Sequence, residues 1–414
     1  MKKYILLISF CMAVVMQMQA KELSSVSDTI IIPELNFQFD TSELAKIRDA
    51  FPSDSKEYAE VKEAMEEAKK AMREAKTEMG KSMKDFSSNF KAEFGKVFGD
   101  QQRNNPVRTE KKNFDNIAKI EILHEHGNII IIDSPSKQVG VEVQYMNPED
   151  KLKESTFLVN NKLLSIKTNG TGKSPSGANI NYIVRVPKDM ELAVNLKYGN
   201  VKMDSPVGNF TLDLSYGNLM ANSIVGKANI RIQYSDMKVD EAGDVSLLAM
   251  YSNIKMNKAK RVDLTGNYTD FGIGDLLIFQ MPKTFSYGDI RIGKLTTYEG
   301  RSIYTDIVIN DLLDNIKANT SYGDITIKNL SSKARNVLID GDYSDISIGL
   351  EPNAVASIDA SLTYGDFEVA KKYSVKYTES KEDDTFTVRK GQIGNGTVKT
   401  NIKVSNNFAD ISIK

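Results

Sequence analysis

The sequence predicts an all-β fold: a single-chain parallel β-helix, or solenoid, of about 17–21-residue coils, preceded by a long amphipathic α-helix. Two observations predict the solenoid. A six-residue phrase, Tyr-small-Asn/Asp-apolar-any-apolar, recurs ten times from Tyr198 to Phe367. Apolar residues alternate with period two on either side of it. A third observation, apolar residues at alternating steps of three and four upstream, predicts the helix.

The N-terminus comes first. Met1-Lys2-Lys3, an apolar run from Tyr4 to about Val15, and Ala20 form the charged, apolar and small-residue zones of a secretory signal peptide over residues 1–20. The run is shorter than the roughly 20 residues of a membrane helix, so an uncleaved anchor is disfavoured and no transmembrane span is expected after signal removal. The single cysteine, Cys11, lies inside this run, preceded by Phe10 in a poor lipoprotein context. The expected mature chain therefore has no disulfide and relies on packing and ladder hydrogen bonds. The chain has 54 basic and 55 acidic residues, which gives no support for nucleic-acid binding.

Residues 21–110 read as an N-terminal segment. Ile30-Ile31-Ile32 through Phe37-Gln38-Phe39 suits an edge strand, because Pro33 cannot donate to a ladder. A helix is expected over about 54–98. Asp54 with Glu57 resembles a capping box, and Tyr58, Val61, Met65, Ala68, Met72, Ala75, Met79, Met83, Phe86, Phe90, Phe94 and Val97 form one stripe. A helix of this length, about 65 Å at ~1.5 Å per residue, needs a partner for its stripe. The solenoid itself is the favoured partner. Self-association through the helix is the alternative, although Met and Ala make a weak coiled-coil seam.

Residues 111–414 are expected to form the solenoid. Its tyrosines are Tyr198, Tyr216, Tyr234, Tyr251, Tyr268, Tyr287, Tyr304, Tyr322, Tyr343 and Tyr364, mostly 17 to 19 residues apart. A fixed period of this size marks units that bury their apolar faces only by stacking on one another. Val194, Leu196 and Tyr198 fall on one parity and Val201 and Met203 on the other, as do Leu212, Leu214 and Tyr216 against Leu219 and Ala221. A parity change without a bend would turn the second strand inside out. A corner is therefore expected at the small-Asn/Asp pair, with the tyrosine on the inward side. Ser or Thr replaces Gly in several coils, so size, not positive φ, should limit the first corner position. The Asn or Asp is the residue expected to tolerate the left-handed region. His126-Gly127-Asn128-Ile129 marks an earlier coil, with Val139, Val141 and Val143 expected as the strand after it, and Phe408-Ala409-Asp410-Ile411 a last one. Residues 372–404 break the rhythm and are expected to close the stack together with that last coil.

The run Val186-Pro187-Lys188-Asp189-Met190-Glu191-Leu192-Ala193-Val194, followed by Tyr198-Gly199-Asn200-Val201, resembles a family of adhesin-like bacterial envelope proteins that includes the head GIN domain group. The resemblance covers roughly residues 114–414. It implies a β-solenoid of unsettled function and brings no catalytic residues.

The residues themselves offer little chemistry. His124 and His126 flank Glu125 and would share a strand face, but a zinc site needs three or four ligands and no third histidine exists. From Asp270 onward every corner carries Asp: Asp270, Asp289, Asp306, Asp324, Asp345 and Asp366, then Asp410. At a strand spacing of about 4.8 Å, neighbouring carboxylates repel by roughly 1 kcal/mol even in water. Either backbone N–H groups compensate, or the row is a ladder of weak Ca²⁺ sites. No other cofactor is indicated. Outward positions carry Lys202, Lys238, Lys255 and Arg291, a basic strip able to hold an anionic glycan.

The resulting expectation is a non-enzymatic, exported scaffold of the cell envelope, periplasmic or secreted to the cell surface. Its partner would be a glycan, an envelope component or a protein. The alternatives are a polysaccharide-active β-helix enzyme and an envelope-stress sensor. The enzyme is disfavoured by the absence of Trp and by coils too uniform to carry long loops.

Overall fold

The computed structural model describes residues 106–146, 153–170, 180–383 and 385–414. The expected signal peptide (residues 1–20) and the helix expected at about 54–98 lie outside the described residues. No described residue is helical; the chain runs as twenty-three strands. They are β1 (Arg108–Phe114), β2 (Lys119–Glu125), β3 (Ile129–Asp133), β4 (Val139–Tyr145), β5 (Lys153–Asn160), β6 (Leu163–Gly170), β7 (Ile180–Val186) and β8 (Glu191–Lys197). Next come β9 (Val201–Met203), β10 (Phe210–Ser215), β11 (Asn218–Ile224), β12 (Ala228–Gln233), β13 (Asp236–Gln280), β14 (Phe285–Ser321), β15 (Ile325–Leu330) and β16 (Asn336–Asp342). The last are β17 (Ile346–Leu350), β18 (Ala356–Thr363), β19 (Phe367–Val369), β20 (Val375–Glu382), β21 (Phe386–Ile393), β22 (Thr400–Asn407) and β23 (Ile411–Ile413).

Each coil contributes one strand before the repeated tyrosine and one after it, and equivalent strands of successive coils pair in parallel. The first ladder runs β6–β2–β8–β10–β12 and on through β13. The second runs β7–β3–β9–β11 and into β13. Both continue through β14. The expected parity change is present: Phe210, Leu212 and Leu214 point inward before the corner, and Leu219 and Ala221 after it. These inward residues form one continuous core from Ile120 to Ile413. Fully burying a side chain of this kind contributes about 1.5–3 kcal/mol, and the core continues only because each coil covers its neighbour.

The ends depart from the expected arrangement. Val139, Val141 and Val143 do not continue the parallel stack. They belong to β4, which pairs antiparallel with both β1 and β7. The other ladder is finished by the antiparallel β5–β6 hairpin. At the far end the last coil is not the closing one: β22 lies in parallel between β16 and β18, and β23 between β17 and β19. The hairpin β20–β21 then caps β18. Inserting the final strands lets Ile402, Val404, Ile411 and Ile413 be buried from both sides. Edge strands β1 and β20 are rich in Lys, Arg and Glu, which discourages further pairing along the stack.

Candidate functional site: the corner ladders

The corner differs from the expected one in the residue that makes the turn. All ten repeat tyrosines are in the left-handed region, with φ between 50 and 59°, as are His126 and Phe408. None of the corner Asn or Asp residues is. The left-handed residue swings its own side chain out of the inward row, so all the tyrosines but Tyr343 keep part of the ring exposed: Tyr198 is 44% exposed and Tyr216 43%. Each such residue costs about 1–2 kcal/mol.

Stacking offsets that cost. From His126 through Tyr198 to Tyr343, then Phe408 and Tyr364, successive rings lie 4.7–5.2 Å apart and within 20° of parallel. An aromatic pair contributes about 0.5–1.5 kcal/mol beyond burial, and an inner ring has two neighbours. His and Phe replace Tyr, whereas no aliphatic residue does, because stacking needs a flat ring. The ladder is most deeply covered at Tyr343, which is only 4% exposed. Burial pushes the Tyr287 and Tyr322 hydroxyls up to about 12, and Tyr304 and Asp342 add smaller repulsive contributions. Tyr304 is pushed up for the same reason.

The first corner position is limited by size, as expected. A Cβ on Gly199 would stand 1.8 Å from the Gly127 carbonyl oxygen, and one on Gly217 1.7 Å from that of Gly199. Where Ser or Thr occurs, its hydroxyl donates to the carbonyl two residues back: Ser235 to Gln233 (2.8 Å), Ser252 to Met250 (2.8 Å) and Ser344 to Asp342 (3.0 Å). These hydroxyl-bearing residues are fully buried.

The second corner position forms a hydrogen-bonded ladder between coils. The Asn200 side-chain oxygen accepts the Asn218 N–H, and that of Asn218 accepts the Asp236 N–H. Among the aspartates, Asp270 accepts from Asp289 (3.0 Å), Asp306 from Asp324 (3.1 Å), Asp324 from Asp345 (2.9 Å), Asp345 from Asp410 (3.2 Å) and Asp410 from Asp366 (2.9 Å). Backbone donors one coil away thus neutralise part of the expected repulsion. Among the described residues, no three His, Cys, Asp or Glu side chains cluster as a metal site would.

The two histidines do not converge. His124 is buried, with Nδ1 2.8 Å from Thr168 Oγ1 and Nε2 2.8 Å from the Ile180 carbonyl. His126 lies beyond the end of β2, where its ring begins the aromatic ladder.

The basic positions lie where the alternation places them, on the outer side of the second ladder. Lys202, Met220 and Lys238 are direct cross-strand partners, as are Gly272 and Arg291. Lys238, Lys255 and Arg291 are exposed. Lys202 Nζ is 2.8 Å from Asp204 Oδ2, and Arg291 Nη2 is 2.8 Å from Asp289 Oδ2. Sequence reasoning missed the aromatic ladder itself, although the exclusive use of flat rings at one register position was the available signal.

The profile of the Toastrack DUF4097 family matches residues 117–414. No curated protein matches the chain. Among solved structures, a proposed cell adhesion protein from Clostridium sporogenes is 12% identical, over 74% of this chain and 98% of that one, with a TM-score of 0.17. A proposed adhesin from Parabacteroides distasonis is 14% identical, over 56% and 92%, with a TM-score of 0.32. One from Bacteroides fragilis is 9% identical, over 74% and 98%, with a TM-score of 0.25. Similarity at this level carries no argument about function. Among the described residues, no helix is long and apolar enough to cross a membrane.

Proposed function

The chain belongs to the Toastrack DUF4097 family, and from that solenoid and its outward faces we propose that it is an exported, non-enzymatic binding scaffold of the bacterial cell envelope. One observation carries the reading. The recurring side chains of the corner serve stacking, close approach or inter-coil hydrogen bonds, so what varies from coil to coil is the outer strand face. Such a face suits a long, repetitive ligand better than a small substrate, because it offers repeated contacts at the coil spacing. Lys202, Lys238, Lys255 and Arg291 make an anionic envelope glycan the favoured ligand class.

Export follows from the charged, apolar and small-residue zones of residues 1–20. The experiment measures retention of the full mature chain on isolated cell-envelope polysaccharide, beside a Lys238→Ser/Lys255→Ser/Arg291→Ser variant. Retention that the triple variant loses supports the reading. Retention unchanged by the variant, or absent in the parent, counts against it.

A further inference from the structure

The aromatic ladder changes character along its length. Tyr198 and Tyr216 are exposed, the tyrosines from Tyr234 to Tyr322 are half-buried, and Tyr343 is covered. Charge changes in the same direction. The corners of the first four tyrosine coils carry Asn200, Asn218, Asp236 and Asn253, and every later corner carries Asp. Lys238 and Lys255 stand exposed on the strands leaving the corners of Tyr234 and Tyr251. On the other side, Lys197 Nζ lies 5.1 Å from the centre of the Tyr198 ring. The accessible end of the ladder is thus also its basic end.

The geometry restricts what can bind there. Successive rings from Tyr198 to Tyr251 are 5.2, 5.1 and 4.9 Å apart and tilted by no more than 16°. Each phenol face is covered by the next phenol, so neither a planar aromatic ligand nor a sugar ring finds a face to stack on. What remains is a row of ring edges and hydroxyls, one per coil. A ligand using the row must present a hydrogen-bonding group at each interval of about one strand spacing, roughly 4.8 Å. Equatorially linked β-1,4 hexopyranose chains are extended ribbons whose advance per sugar is close to that spacing. An α-1,4-linked chain twists about its axis from sugar to sugar, so its hydroxyls turn away from the row within a few coils.

We propose that Tyr198, Tyr216, Tyr234 and Tyr251, with Lys238 and Lys255, hold an extended β-1,4-linked acidic glycan of the cell envelope, one sugar per coil. The phenol hydroxyls bond its sugar oxygens, and because neighbouring sugars of such a ribbon face opposite ways, the two ammonium groups share the carboxylate of the one sugar that turns toward them. This rests on the reading of the protein as an envelope-glycan scaffold and adds the linkage, the register and the tyrosines. Farther along, the unbroken run of Asp at the corners ends the site.

Calorimetry on the full mature chain tests it with three hexasaccharides. A β-1,4-linked mannuronate hexamer has the required linkage and charge, an α-1,4-linked galacturonate hexamer the same charge on a twisted chain, and cellohexaose the linkage without charge. The mannuronate hexamer should bind at least tenfold more tightly than either control. Tyr216→Phe and Tyr234→Phe keep the stacked ring, as Phe408 does naturally, and remove one hydroxyl each. Each should weaken binding about fivefold, the equivalent of one hydrogen bond. Lys238→Ser/Lys255→Ser should weaken it further and flatten its salt dependence. Equal binding of the two uronate hexamers, or no effect of the Tyr→Phe changes, overturns the ladder while leaving a basic glycan surface in place. Failure of all three sugars to bind also overturns it, whereas the envelope-retention measurement decides the broader reading separately.

Discussion

Gly217→Ala tests the tightest feature of the corner. The added methyl would meet the Gly199 carbonyl oxygen at 1.7 Å and carbon at 2.8 Å, with Leu214 Cδ1 at 3.1 Å on the core side. The carbonyl belongs to backbone and has no rotamer to change, so one coil must move by more than 1 Å to restore contact distance. That movement strains the hydrogen bonds around the corner, from Tyr216 N to Gln233 O (3.1 Å), Gly217 N to Ser235 Oγ (3.3 Å) and Asn218 N to Asn200 Oδ1 (3.0 Å). Overpacking costs about 1–3 kcal/mol and each lost bond about 1 kcal/mol, so a total near 3 kcal/mol is expected. Urea unfolding followed by tyrosine fluorescence gives the midpoint. Hydrogen exchange should localise the loss to the coils of Tyr198, Tyr216 and Tyr234, since stability in a solenoid is coupled mainly between neighbours. A loss below about 1 kcal/mol would refute the close-approach argument, since ordinary surface substitutions fall within about 0.5 kcal/mol.

Four further outcomes are expected. Asp324→Asn should be neutral or slightly stabilising, because the amide oxygen can still accept the Asp345 N–H while one repelling charge disappears; Asp324→Ala should cost about 1 kcal/mol by removing that exposed bond. On the same reasoning the melting midpoint should not change when millimolar Ca²⁺ is replaced by EDTA, and a fall of several degrees would instead favour metal along the Asp ladder. Tyr298→Phe should stabilise by about 1 kcal/mol in urea titrations, because the buried Tyr298 hydroxyl has no hydrogen-bond partner among the described residues. Burial, with Asp340 nearby, raises the Asp342 carboxyl above its ordinary 3.8 in the folded protein. Its folded form binds the proton more tightly than the unfolded form, so its contribution to stability is full below pH 3.8 and is lost as pH rises through the folded value. Asp342→Asn should therefore raise the midpoint at pH 7 and narrow its advantage toward pH 3, and a pH-independent difference would contradict this.

Much of the architecture was legible from residues alone, and the reasons are local. Side-chain alternation is an obligatory property of a strand, so Leu212, Leu214, Leu219 and Ala221 disclosed both strands and the bend between them. The size limit beside the tyrosine was legible because only Gly, Ser and Thr occur there in the tyrosine coils. Which corner residue takes the left-handed conformation was not, because its cost of about 1–2 kcal/mol disfavours an aromatic residue when one corner is considered alone. Only contact with the rings of the coils on either side offsets that cost, and those rings lie 17 or more residues away in sequence. The placement of β22 and β23 inside the stack was hidden for a related reason. Phe408 and Asp410 fit any coil boundary equally well by type, and only the pairing of the β20–β21 hairpin with β18 selects the slot between β16 and β18. The sequence by itself thus determined the repeat, its coil length and its buried set, which depend on each strand's own alternation. The tertiary structure decided which rings stack, where they remain accessible, and how the ends close, because those depend on contacts that exist only once the coils are superposed.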